Sequence, residues 1–386
     1  MVWFVASAGA AKLLAMAENS IHGLGWKRPF LQRVRAVHNV LLLSYPPTIL
    51  WTLGLSGPRL LWTEDWSRIP VAGWLALGAG CVGFGYLIAS TVRHWTYRPP
   101  ACETAVRSRI VDIAAQTTEA LVGAVRGSRI ARLPFNEQFT LEVHEKTYVL
   151  PRLPQAWDGL SIVHFSDCHF RGFVTEAYFQ HVMDEVQRLQ GDIVAFTGDL
   201  LDRKECVRWI PGTLGRVSAP LGCYFVLGNH DWYVEIEDLI RQSLTDAGWI
   251  DISGRVIDLE REGARVAICG SERPWLGTAP DLSAVDDAAF RLLLSHSPDQ
   301  IVWARRNRVD LMLAGHTHGG QIRLPILGPV YSPSVYGCRY ASGVFWEPPT
   351  LMSVTRGVSG REPIRYNCRP EVTKLILRSG DRKAAS

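Results

Sequence analysis

Two histidines, His316 and His318, follow an apolar run that stops at Gly315, and a glycine pair stands behind them. This pattern describes a buried strand that delivers two imidazoles to the carboxyl end of a sheet, with glycines letting the backbone turn tightly. Alone, such a pair is a weak signal. Four upstream apolar runs, however, also end in metal-ligating residue types. Residues 161–166 lead to Asp167 and His169, and 192–197 to Gly198, Asp199 and Asp202. Residues 223–227 lead to Gly228, Asn229, His230 and Asp231, and 291–295 to His296. Aspartates bind hard or borderline divalent cations and can bridge two of them. Imidazole and amide donors favour Mn2+, Fe or Zn2+ over a bare Mg2+ site. The set is large enough for two ions, and ions about 3.5–4 Å apart clamp a phosphoryl group and activate a water for in-line displacement.

The elements that must position these residues begin near residue 160. Helical patterns at 175–190 and 233–247 alternate with apolar β-type runs roughly every thirty residues, the rhythm of a layered α/β fold with function in loops at strand carboxyl ends. Runs near 256–259, 265–270, 350–355 and 374–379 are expected to supply a second sheet. Residues 139–150 alternate as a strand, and the prolines at 151 and 154 mark a domain boundary.

The five motifs, in this order, resemble those of the calcineurin-like metallophosphoesterases over residues 155–386. The resemblance implies an αββα layered domain over 151–386. It implies one divalent ion on Asp167, His169, Asp199 and His318, and a second on Asp199, Asn229, His296 and His316, so that Asp199 bridges. It also implies that His230 faces substrate as general acid or charge stabiliser, and that a hydroxide between the ions attacks phosphorus. Asp202 and Asp231 fit supporting roles, orienting imidazoles or turn amides. Cys168, between two ligands, is expected to point away from the ions. Arg323, Arg339 and Arg356 are candidate partners for a pyrophosphate.

The first hundred residues differ in kind. Residues 69–92 carry no charge, lie between Arg68 and Arg93, and at about 1.5 Å per residue are long enough for a membrane span. Residues 36–58 are a second charge-free stretch, interrupted by Pro46 and Pro47. Residues 1–17 are apolar with no basic residue ahead of them, so a cleaved signal is not expected. Lys27, Arg28, Arg33 and Arg35 precede the first stretch, and Arg93, Arg98, Arg107 and Arg109 follow the second. Arg59 and Arg68 lie between, beside Glu64 and Asp65. This bias predicts a transmembrane helical hairpin with both ends in the cytoplasm. Residues 101–150 are read as a connecting helix and linker, with helical spacing over 101–130 and a basic face.

A balance of 41 basic to 37 acidic residues gives a net charge of +4, and with no long basic run it argues against nucleic acid as partner. Eight cysteines without a CxxC pair suit a reducing compartment, and no protein partner is inferred. The chain therefore reads as a phosphoesterase of the cytoplasmic membrane with a cytoplasmic catalytic domain. The membrane-anchored branch it resembles points to a lipid or nucleotide-lipid substrate, with UDP-2,3-diacylglucosamine foremost, cleaved to UMP and an acyl-sugar phosphate in lipid A synthesis. The alternatives are another lipid or nucleotide diester, and an inactive membrane scaffold.

Overall fold

The computed structural model describes residues 1–51 and 69–380. They divide into two compact units, one formed by Met1–Arg98 with Leu324–Arg339, the other by Pro99–Arg323 with Tyr340–Ser386.

Among the described residues the first unit contains the helices α1 (Val2–His22), α2 (Arg28–Leu50) and α3 (Val71–Thr96). Helices α1 and α3 meet backbone to backbone. A Cβ added to Gly9 would stand 1.7 Å from the Gly80 carbonyl oxygen, and one on Gly83 would stand 2.0 Å from that of Gly9. Small residues allow this approach, and dispersion along the seam replaces side-chain interdigitation. Glu18 of α1, buried, binds Arg35 Nε and His38 Nε2 of α2, each at 3.0 Å. The returning segment is held by Asn19, whose Oδ1 accepts from Ser332 N at 3.1 Å, and by Trp95, whose Nε1 donates to Ile326 O at 2.7 Å.

Among the described residues one helix, α3, is long and apolar enough to cross a membrane, and only 22% of its most apolar window is buried. The expected partner span falls partly in α2, which runs through Pro46 and Pro47. Residues 52–58 of that stretch, and the loop with Arg59, Glu64, Asp65 and Arg68, lie outside the described residues.

The second unit is a mixed α/β domain with two facing sheets. Its strands are β1 (Glu103–Asp112), β2 (Thr140–Leu150), β3 (Ser161–Phe165), β4 (Ile193–Thr197), β5 (Cys223–Val226), β6 (Trp249–Asp251), β7 (Val256–Arg261), β8 (Ala264–Ser271), β9 (Phe290–Ser295), β10 (Leu311–Ala314), β11 (Gly343–Glu347), β12 (Thr350–Val354) and β13 (Glu371–Ser379). The sheets run β1-β2-β13-β3-β4-β5-β6 and β11-β12-β10-β9-β8-β7. Strands β3 to β6 are mutually parallel, as are β12, β10, β9 and β8.

Alternation along each strand sorts the core. Ile162, Ile193 and Val226 face Ile268, Leu292 and Leu313 between the sheets. Val163, Phe165, Val194 and Phe196 point the other way, onto α4 (Glu176–Arg188) through Phe179, Val182, Met183 and Val186. The spacing of those four on α4 is that of one helical face. Further on come α5 (Asn229–Val234), α6 (Glu237–Asp246) and α7 (Ile301–Arg306).

Two expectations are corrected. Residues 103–112 form β1, antiparallel to β2, not a connecting helix. Thr104, Val106, Ile110 and Val111 are β-formers, and the interspersed arginines suit an exposed edge strand. The unit accordingly starts at Pro99, ahead of the boundary expected at 151. Residues 371–379 lie in the first sheet, between β2 and β3, and not in the second.

A buried ion cluster ties β13 to β2. Arg356 donates to Glu371 Oε2 at 2.6 Å and to Glu142 Oε2 at 2.8 Å. Burial pushes the Glu371 carboxyl up, but Arg356 and then His144 override it and hold the group well below its usual range. A depressed carboxyl stabilises the fold above its unfolded pKa, and that contribution is lost as pH falls. Glu371→Gln should therefore cost about 3 kcal/mol near neutrality. Chemical denaturation of both proteins should show the difference shrinking below about pH 4.5, as the carboxyl takes up a proton first in the unfolded chain and at lower pH in the folded one. An equal cost across that range would exclude this ion cluster as its source.

Candidate metal centre

Every motif residue expected at a strand end is there. Asp167 and His169 follow β3, Asp199 and Asp202 follow β4, Asn229 to Asp231 open α5 after β5, His296 follows β9, and His316 and His318 follow β10. Five of them, Asp167, His169, Asp199, His316 and His318, have φ between 50° and 70°. Side chains other than glycine adopt this left-handed region at a cost, so its concentration at these loops marks a functional constraint. Glycines make room beside them. A Cβ on Gly228 would lie 2.2 Å from Asp199 Oδ1, and one on Gly315 would lie 2.6 Å from Asp167 Oδ2.

The side chains converge in two sets that share Asp199. Asp167, His169, Asp199 and His318 form one, and Asp199, His296 and His316 the other. His169 Nε2 and His318 Nε2 face each other at 3.2 Å, and Asp199 Oδ2 lies 3.5 Å from the former. In the second set His296 Nε2 lies 3.1 Å from His316 Nδ1, 3.1 Å from Asn229 Oδ1 and 3.3 Å from Asp199 Oδ1. Donors that share an ion at about 2.0–2.2 Å stand about 3–3.5 Å apart, which these pairs do. Asp199 Oδ2 is buried and accepts no hydrogen bond. The residues therefore fit divalent metal ions.

The surroundings fix each donor. His296 Nδ1 hydrogen-bonds with Thr197 O at 2.7 Å, which turns Nε2 toward the cluster. Asp202 binds His169 Nδ1 at 3.3 Å through one oxygen and His230 Nδ1 through the other. Asp231 accepts from the amides of Leu200, Leu201 and Gly228 at 2.9–3.0 Å, locking two loops together. Cys168 lies in the apolar core.

Charge is distributed unevenly. Burial would push the Asp199 and Asp202 carboxyls up, but His296 and His230 beside the first, and His230 and His169 beside the second, hold both well below the usual range. Burial opposes protonation of His296, yet Asp199 raises it to about 9. His318 is driven well down by burial, then by His169 and Arg365. Asp231 is raised to about 6 by burial and by Asp199.

Of the three arginines read as substrate contacts, Arg356 is corrected: Glu371 and Glu142 engage its guanidinium. Arg323 donates to Gly319 O at 2.8 Å and to Ser342. Arg339 is exposed and belongs to the helical unit.

Three residues escaped the sequence reading. The Trp275 ring lies 4.8 Å from that of His316 and 5.5 Å from that of His296. Arg365, fully buried, donates to the carbonyls of His318 and Ser359, and Ser359 O lies 3.3 Å from His318 Nδ1. Ser166 donates to Asp167. Only the position of Ser166 beside a motif offered a signal.

A layered α/β domain with two convergent Asp/His sets at its strand ends defines a metal-dependent phosphoester hydrolase. The calcineurin-like phosphoesterase family profile matches residues 160–320. The uncharacterized metallophosphoesterase YkuE of Bacillus subtilis (strain 168) is 33% identical over 254 residues, which are 63% of this chain and 87% of that protein. Phosphodiesterase YaeI of Escherichia coli (strain K12) is 30% identical over 220 residues, 56% of this chain and 81% of that one. A transmembrane protein with metallophosphoesterase domain from Danio rerio is 28% identical, over 59% of this chain and 55% of that protein. The chain belongs to the calcineurin-like metallophosphoesterases.

Asp199→Asn should weaken both donor sets at once. Metal analysis of the purified protein is expected to fall from about two ions toward one or none, with activity lost. Retention of two ions with near-normal turnover would remove Asp199 from its shared place.

Proposed function

We propose that this chain is a membrane-anchored phosphodiesterase or pyrophosphatase working with two divalent ions, Mn2+, Fe or Zn2+. Asp167, His169, Asp199 and His318 would hold one, and Asp199, Asn229, His296 and His316 the other. The observation that carries the reading is the sharing of Asp199 between two sets of facing donors. Bound there, the ions supply a nucleophilic water at neutral pH and positive charge for the phosphoryl oxygens.

The chain's own residues do the positioning. Asp202 holds His169 and His230 from one carboxylate. With Nδ1 of His230 engaged, Nε2 is the ring atom that protonates the leaving oxygen or stabilises its charge. Asp231, on three amides, keeps the loops that carry Asp199 and Asn229 in register.

The phosphodiesterase named among the relatives supports a diester or pyrophosphate as the bond cleaved. Helix α3 and the relative named as a transmembrane protein support anchoring. The basic residues outside the two charge-free stretches favour the cytoplasmic membrane, with catalysis on the cytoplasmic side. An anchored enzyme meets a lipid-linked substrate at raised effective concentration without any added contact. UDP-2,3-diacylglucosamine is the first substrate to test, and the mild net charge speaks against nucleic acid.

Release of UMP from UDP-2,3-diacylglucosamine should exceed release from generic nucleotide diesters; hydrolysis of the generic diester alone would reject that substrate and keep the enzyme class. His230→Asn should retain metal and cut turnover by about 10²–10⁴. A nitrophenyl diester, whose leaving group needs no proton, should suffer less. Equal losses would reassign His230 to the phosphoryl oxygens, and lost metal would make it a ligand.

A further inference from the structure

The catalytic unit exposes an apolar tip whose shape is fixed. Phe135 is 91% exposed, and Leu133 and Ile322 are exposed as well. Single exposed apolar side chains are ordinary, but several on neighbouring segments held rigid in water suit a surface made to be covered.

This tip is held on every side. Asn136 Nδ2 donates to Ile130 O at 3.1 Å and to Pro363 O at 2.8 Å, and Asn136 N donates to Leu133 O at 3.2 Å. Tyr366 joins the two apolar segments. Its hydroxyl donates to Pro134 O at 2.9 Å, and its backbone pairs with Ile322. Phe135 itself sits at φ 61°, a conformation that a side chain of this size adopts only under constraint.

The charge on the segment that carries the tip has one sign, and Glu362, beside the Asn136 partner Pro363, is paired with Arg171 at 3.7 Å. Residues 120–136 contain Arg126, Arg129 and Arg132 and no acidic residue, and all three arginines are exposed. The nearest acid along the chain, Glu137, is occupied by Arg369 at 3.0 Å and by the Cys368 amide. Apolar side chains flanked by cations are the chemistry that recognises an anionic lipid surface: the cations meet headgroups and the apolar tip enters the acyl boundary.

We propose that Leu133, Phe135 and Ile322, with Arg126, Arg129 and Arg132, form a docking surface by which the catalytic unit itself seats on an anionic lipid leaflet. The proposal rests on the membrane association argued above. It extends that association from the helices to the hydrolase domain. It also has a functional reading, because the tip's anchor leads to the metal centre. Asn136 Oδ1 accepts from Arg365 N at 2.9 Å, and Arg365 donates to His318 O at 3.1 Å. A seated tip would bring the centre to substrates whose phosphoester stays at the headgroup layer.

The test uses the full chain reconstituted in phosphatidylcholine vesicles with and without phosphatidylglycerol. A photoreactive benzoylphenylalanine is placed at Phe135, at Leu75 on α3, or at Glu260 on the edge strand β7. The expected result is lipid adducts at 135 and 75 and none at 260. The adduct at 135 should fall several-fold when phosphatidylglycerol is omitted or when Arg126, Arg129 and Arg132 are all changed to Gln. An adduct at 75 without one at 135 would overturn the docking surface and leave the anchor standing. An adduct at 135 alone would support docking and overturn the anchor; none at either would overturn both. A protein adduct at 135, or one indifferent to lipid charge and to the arginines, would overturn the proposal.

Discussion

A buried carboxylate shared between two sets of imidazoles is the constraint from which the rest of the catalytic unit follows. Asp199 is almost wholly enclosed, and a buried anion is tolerated only where donors and cations surround it. Here they come from four separate loops: His169 after β3, the His230 amide after β5, His296 after β9 and His318 after β10. The carboxyl ends of the parallel strands in the two facing sheets bring these loops to one point. Convergence also forces the backbone into left-handed turns at five donor positions, each costing about 1–3 kcal/mol. Asp231 opposes that strain by tying the turn after β4 to the turn after β5.

What the sequence made legible is what lies within a few residues of a motif. Apolar β-type runs ending in Asp, Asn or His announced the strand ends because both halves of the signal are local. The helix α4 was equally plain from its spacing. Pairing across the sheet is not local, and there the reading failed. Residues 371–379 have the composition of a strand, but nothing in them says that β2 and β3 are their neighbours. The same holds for Arg356, whose two carboxylate partners lie 15 and 214 residues away. Trp275 and Arg365 lie against the centre from loops with no pattern of their own. For β1, apolar residues at 106, 110, 113 and 114 imitated one face of a helix, while its pairing with β2 decides the matter.

The two units bury acids by the same rule in different settings. Glu18 is held by Arg35 and His38 within a helical bundle, and Glu371 by Arg356 and His144 within a sheet. In each case one carboxylate joins elements distant in sequence, so the ion pairs specify register as well as contributing stability. The seam between α1 and α3 does the reverse. Its glycines carry no charge and no bulk, and the helices are aligned by close contact of their backbones, with Leu13 against Gly83 and Ala6 clustered with Leu77.

The return of residues 324–339 to the helical unit sets an order of events during synthesis. Asn19, nearly fully buried, finds its partner Ser332 313 residues later. A ribosome adding about 5–20 residues per second delivers that partner well after the helices have formed. The amino-terminal bundle is thus an early structure that stays unfinished. It is closed by a segment that begins at Leu324, six residues after His318, the last candidate ligand in the chain.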